Sequence, residues 1–177
     1  GGWLNCDLHP KSRSVLPLDA TRPLPFDDGQ FDFIFSEHFI EHINYEQCAS
    51  LLRECRRILK PGGKIRLTTP DLAFLIDLYG EPKTEEQQRY IEWATKSFIK
   101  NAPRPRDVYV INNFFYCDWG HQFIYDEESL AHLMRSVGFV NVERCAISWS
   151  ANDALRGLEN ETRMPAGFLR LESVTLE

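Results

Sequence analysis

Between Phe31 and Thr69 the chain reads apolar run, capped helix, tight turn, apolar run, and few architectures accept that order. Phe31–Ser36 (FDFIFS) is apolar almost throughout, as a strand buried on both faces tends to be. Asn44 opens a helix that runs to about Leu59, with Gln47 placed to close a capping box. Cys48, Leu51, Leu52, Cys55, Ile58 and Leu59 fall on the helical i, i+3, i+4, i+7 stripe. Lys60–Pro61–Gly62–Gly63 stops the helix, because Pro61 cannot continue it and glycine tolerates the positive φ of a reversal. Lys64–Thr69 (KIRLTT) is then the next strand. Strand, helix, turn, strand is a βαβ unit, which requires a parallel pair and a right-handed crossover.

Elements to either side extend this unit into an α/β domain. Trp3–Leu8 and Val15–Leu18 are short strands that end at Asp7 and Asp19. Asp71 caps a short helix to Tyr79, and Thr84, with Gln87 three residues on, caps another to about Lys100. Residues 80–120 break the rhythm: a Pro/Arg loop at Ala102–Asp107 is followed by Tyr109, Phe114, Phe115, Tyr116 and Trp119. That stretch reads as an insertion over the ligand-binding edge of the sheet. Its aromatic residues are either a lid over an acceptor, the packed underside of the insertion, or a homo-oligomer contact. Asp126 caps a helix through Val137 that stops at Gly138. Phe139–Ile147 and Phe168–Leu176 read as two antiparallel edge strands, the second carrying a bulge where its apolar alternation slips by one residue. The expected whole is a single domain over residues 1–177, three-layered, with a mainly parallel sheet and an antiparallel C-terminal edge.

Composition narrows the function. A net charge of −6 argues against a nucleic-acid partner held through phosphates. No apolar run is long enough to cross a bilayer. Five scattered cysteines (Cys6, Cys48, Cys55, Cys117 and Cys145) without a C-x-x-C pair suit reduced thiols in a cytoplasmic protein. His38–His42 (HFIEH) matches the H-x-x-E-H pattern of inverted zinc peptidases, in which His38 and His42 would hold the metal and Glu41 would act as base. The segment leaves barely two turns between a buried strand and Asn44, so zinc hydrolysis is the weaker reading and no metal is expected.

The segments LDATRPLPFDDGQFDFIFSEHFIEHI, LLRECRRILKPGGKIRLTTPD and GHQFIYDEESLAHLMRSVGF resemble the class I S-adenosylmethionine-dependent methyltransferases, in particular the methyltransferase-11-like group. The resemblance implies a Rossmann-like fold, S-adenosylmethionine as cofactor, and methyl transfer to a small-molecule acceptor such as a sugar or other polar metabolite. It assigns Asp7 to the ribose hydroxyls, and Asp19 with the Ala20 backbone to the adenine. Ser36 and Glu37 fall beside the methionine end. A carboxylate suits the first two places because it only accepts hydrogen bonds and can take two donors at once. His38 and His121 are the candidate catalytic bases, since histidine titrates near neutral pH. The family's first strand and Gly-rich loop should precede Asp7, and Gly1–Gly2 does not replace them. Two alternatives stay open: a fragment of a longer protein, or a non-catalytic methyltransferase-like module with an incomplete cofactor site.

Overall fold

The computed structural model describes residues 2–116 and 119–177; Gly1 and Cys117, both used above, lie outside the described residues. In chain order the elements are β1 (Cys6–Asp7), β2 (Leu16–Pro17), β3 (Phe31–Glu37), α1 (Tyr45–Ile58), β4 (Leu59–Pro70), α2 (Leu72–Tyr79), α3 (Glu85–Phe98), α4 (Asp107–Tyr116), α5 (Glu127–Ser136), α6 (Phe168–Glu172) and β5 (Ser173–Leu176). Short 3-10 turns lie at Ile40–His42, Asp153–Leu155 and Glu161–Arg163.

The βαβ unit forms as expected. The Asn44 side chain accepts from the Gln47 N–H at 2.9 Å, and the Gln47 side chain accepts from the Asn44 N–H at 3.0 Å. β3 and β4 pair in parallel, with Ile34 opposite Ile65 and Ser36 opposite Leu67. β4 begins earlier than the reading of a turn at Lys60–Gly63 allows: Leu59 already pairs with Phe31, and the register shifts between Phe31 and Phe33. The extra residues are absorbed at Gly62, which has φ +78°, and at Gly63, where a Cβ would lie 3.0 Å from the Lys60 carbonyl and 3.1 Å from the Asp32 carbonyl. The two glycines therefore make a bulge inside the pairing.

Strand order is β3-β4-β5, with β5 antiparallel to β4, while β1 and β2 form a separate parallel pair. Two expectations at the C-terminus are corrected. Phe139–Ile147 is not a strand; it follows β5 through Glu143, Arg144 and Cys145 with irregular backbone bonds. Residues 168–176 are not one bulged strand. Gly167, at φ +89°, starts the helical turn α6, and β5 begins only at Ser173. The one-residue slip in apolar phase marks a change of period from helix to strand.

Helices α1 and α5 cover one sheet face, packing Cys48, Leu52, Leu130 and Met134 against Ile65, Leu67, Val174 and Leu176. Arg66 and Thr68 alternate to the other face, where the irregular segment before α6 covers them. Arg66 donates to Glu159 at 2.6 Å and to the carbonyls of Trp149 and Ala146 at 2.9 Å each, and is fully buried. A second core joins α2, α3, α4 and α6 through Leu75, Leu78, Tyr90, Val110, Phe114 and Phe168. α4 was expected as loop and aromatic cluster; it is a helix because Val110, Asn113 and Phe114 fall on one buried face. Of the described cysteines, Cys6, Cys48, Cys55 and Cys145 are free, and burial pushes the Cys55 thiol up to about 12. Among the described residues no helix is long and apolar enough to cross a membrane.

Candidate active site

β1 and β2 run parallel, with Asp7 opposite Pro17, and the Leu18 N–H donates to the Asp7 carbonyl at 2.9 Å. Asp7 at the end of β1 and Asp19 just past β2 therefore stand at the same end of neighbouring strands. Asp7 is exposed and one of its oxygens accepts from the His9 N–H at 2.7 Å. Asp19 accepts from the Thr21 N–H at 3.0 Å, the Thr21 hydroxyl at 2.6 Å and the Arg22 Nε at 3.1 Å. The two Thr21 bonds hold its carboxyl below the ordinary range. Ala20, the next residue, is half-buried against the framework core.

Ser36 and Glu37 end β3, opposite Leu67 and Thr68. Both Glu37 oxygens accept from the Asn160 N–H at 3.2 Å, which draws the C-terminal segment across the strand tip. His38 follows with φ +48°, its N–H donating to the Thr68 carbonyl at 2.7 Å. Its imidazole Nε2 is 2.9 Å from the Ser173 hydroxyl, and its Nδ1 is 3.4 Å from Glu41 Oε1. Carboxylate, imidazole and hydroxyl thus stand in a chain. Ser173 is 5% exposed, so this chain orients the imidazole and does not present a nucleophile.

Glu41 is the hub of the cluster and is fully buried. Its Oε2 accepts from the Thr69 hydroxyl at 3.0 Å, and its carbonyl accepts from the Gln122 N–H at 2.7 Å. Burial raises its carboxyl pKa, but the His38 imidazole 3.4 Å away, with His42 behind, outweighs this and holds it below its usual value. His121 reaches the same cluster from the far side: its ring lies 4.9 Å from that of His42, and its Nδ1 is 2.8 Å from the Phe114 carbonyl. Burial keeps the His121 pKa below that of a free imidazole. The structure therefore brings His38 and His121 into one cluster through Glu41. Behind His121, the Trp119 ring lies 5.5 Å away at a tilt of 56° and borders a cavity of about 660 Å³ between α3 and α4.

Three participants are not read from the sequence. Thr69 and Ser173 reach the cluster because β4 and β5 end and begin at the same edge, with Pro70 opposite Ser173. Glu172, beside Ser173, is buried and accepts from the Tyr90 hydroxyl; burial pushes both groups up. The only sequence signal for them is the slip in apolar phase near residue 172. The H-x-x-E-H reading is corrected by the backbone. Residues 38–42 hold a positive-φ residue and a 3-10 turn, so His38 and His42 do not share a helical face, and His38 Nε2 is already engaged.

Residues 6–67 match the family model described as a methyltransferase domain. The phosphoethanolamine N-methyltransferase 2 of Caenorhabditis elegans is 29% identical over 105 residues, covering 57% of this chain and 22% of that protein. An uncharacterized 37.1 kDa transposon protein of Streptomyces fradiae is 31% identical over 85 residues, covering 48% of this chain and 24% of its own length. The chain thus spans about a quarter of the curated relatives it matches. A SAM-dependent methyltransferase of Archaeoglobus fulgidus superposes with a TM-score of 0.50 at 16% identity, covering 92% of this chain and 65% of that one, which is a likeness of fold. Residues 6–67 thus resemble a methyltransferase domain, and the chain shares the fold of the Archaeoglobus fulgidus SAM-dependent methyltransferase.

Proposed function

We propose that the chain carries out methyl transfer from S-adenosylmethionine to a small polar acceptor. The observation that supports this most is the placing of Asp7 and Asp19 at one end of two neighbouring parallel strands. Strand ends at one edge of an α/β sheet are where such folds bind nucleosides. The donor set fits an adenosine. Asp7 is exposed and uses only one oxygen internally, which leaves the other for ribose hydroxyls. Asp19 is ionised and pre-oriented by Thr21, and its Arg22 partner is itself exposed and displaceable. With Ala20 it holds the adenine edge. Ser36 and Glu37 border the methionine end, Glu37 acting by fixing Asn160.

The cofactor supplies an electrophilic methyl group on a sulfonium. The protein's part is orientation, exclusion of water and management of one proton. His38 is the base in this reading: Nδ1 faces the Glu41 carboxylate, which stabilises the imidazolium, and a proton arrives at Nε2, where Ser173 now sits. His121, at the edge of the second core, stands on the acceptor side in this reading. An amine acceptor is the first class to try, given what the nematode relative is named for.

Transfer of a labelled methyl group to a panel of small amines and alcohols tests this directly. His38→Ala should lower turnover by about 10²–10⁴-fold while S-adenosylhomocysteine affinity stays unchanged. Ligand binding with no transfer to any acceptor would instead identify a binding module, and equal turnover in the variant would remove His38 from the chemistry.

A further inference from the structure

The cluster contains one buried atom that the fold leaves without a hydrogen bond, its contact with His38 Nδ1 being a longer 3.4 Å. Glu41 Oε1 is fully buried and has no hydrogen-bond partner, although its twin Oε2 is held by Thr69. A buried carboxylate oxygen left without a partner is costly, so something is expected to meet it. His42 Nε2 lies 3.8 Å from this oxygen, and ligand atoms of Glu41, His42 and His121 all lie within 4.8 Å of one another.

We propose that Glu41, His42 and His121 form a divalent-metal site of the zinc type, distinct from the inverted-peptidase pattern and with no hydrolytic role. Two imidazoles and one carboxylate are a donor set that borderline divalent ions favour. Zn–N and Zn–O bonds of about 2.0–2.2 Å place ligand atoms somewhat closer together than 4.8 Å. The adjustment falls to His42, whose side chain is 38% exposed and free to turn, while Glu41 and His121 are fixed. The outer partners that metal ligands require are already present. His121 is oriented through Nδ1 by the Phe114 carbonyl, which leaves Nε2 for the ion. Thr69 and the nearby His38 Nδ1 support the carboxylate.

The two halves of the site are brought together by backbone geometry. Gln122 and Phe123 donate to the Glu41 carbonyl, and the Gln122 side chain donates to the His42 carbonyl at 2.8 Å. An ion at this point would pin the chain returning from α4 to the 3-10 turn after β3. Three protein ligands leave one position to water. The proposal does not depend on the methyltransferase reading, since metal uptake is measured without cofactor or acceptor.

The test uses the full chain stripped with chelator and dialysed against Zn²⁺ or Co²⁺, with bound metal counted by mass spectrometry and Co²⁺ followed by its visible absorption. Half an equivalent or more should bind, and His42→Ala and His121→Ala should each weaken binding by about tenfold or more, with His132→Ala on the exposed face of α5 as the unaffected control. If His121→Ala does not fold, the half-exposed His42 decides. Uptake below half an equivalent, or uptake indifferent to His42→Ala, overturns the site.

Discussion

In the β1–β2 ribbon, side-chain acceptors are held by residues two or three positions away: Asp7 by His9, and Asp19 by Thr21 and Arg22. At the end of the β3–β4–β5 sheet the partners are distant in sequence. His38 meets Ser173 across 135 positions, and Arg66 meets Glu159 across 93. Local partners keep a carboxylate oriented whether or not the surroundings are packed, so the ribbon can leave its acids open to water. Distant partners form only once the sheet has assembled, so the groups at its end are tied to global stability. The ribbon leaves its acids accessible, whereas the sheet end holds buried polar groups in register.

The sharpest way to break this contrast is Arg66→Ala. Arg66 is fully buried with Glu159, and removing one partner strands the other charge, so a loss of about 3–5 kcal/mol in urea unfolding is expected. A loss comparable to that of a surface substitution would mean the sheet end is no more committed than the ribbon. Asp19→Ala should do the reverse. Unfolding should barely change, while calorimetric affinity for S-adenosylhomocysteine falls about 5- to 150-fold, as for loss of a charged acceptor. Unchanged affinity in the folded variant would put the adenine elsewhere.

The smallest effect concerns a local partner on the framework. Asp126 caps α5 through Ser129, and Asp126→Ala should cost about 1 kcal/mol near neutral pH. The Ser129 side-chain and backbone bonds hold the Asp126 pKa below its ordinary 3.8. A depressed carboxyl pKa stabilises the folded state above the ordinary value and ceases to do so as pH falls through the folded one. The gap between Asp126→Ala and the parent chain should therefore be constant above about pH 5 and close on acidification. A gap independent of pH down to acid unfolding would show that ionisation of the cap is irrelevant.

The same division between near and distant partners decided what could be read in advance. The boxes at Asn44 and Thr84 and the cap at Asp126 are written within four residues, and the helices they start are where the residues say. The order of β3, α1 and β4 followed from periodicity and from Pro61–Gly63. The helical period of α4 is hidden in the sequence because Pro103 and Pro105 precede it and its aromatic residues crowd both faces. The sequence makes β5 look longer than it is, because Phe168–Glu172 alternates like a strand while Phe168 and Leu169 pack as a helical turn. At the site, Asp7, Asp19 and His38 stood out as polar groups after apolar runs. Thr69 and Ser173 did not, because they depend on which strand ends meet, whereas Glu41 reads from the sequence as a structural tie between the helix start and the sheet, and it bonds Thr69 at the end of β4.

The claim on which the rest stands is that the tips of β1 and β2 act together on one nucleoside. A ¹H–¹⁵N correlation spectrum of the chain, titrated with S-adenosylhomocysteine, measures this residue by residue. The amides of Cys6–Leu8 and of Leu18–Thr21 should shift together and fit one dissociation constant. Shifts confined to one of the two tips, or two tips titrating with different constants, would contradict it.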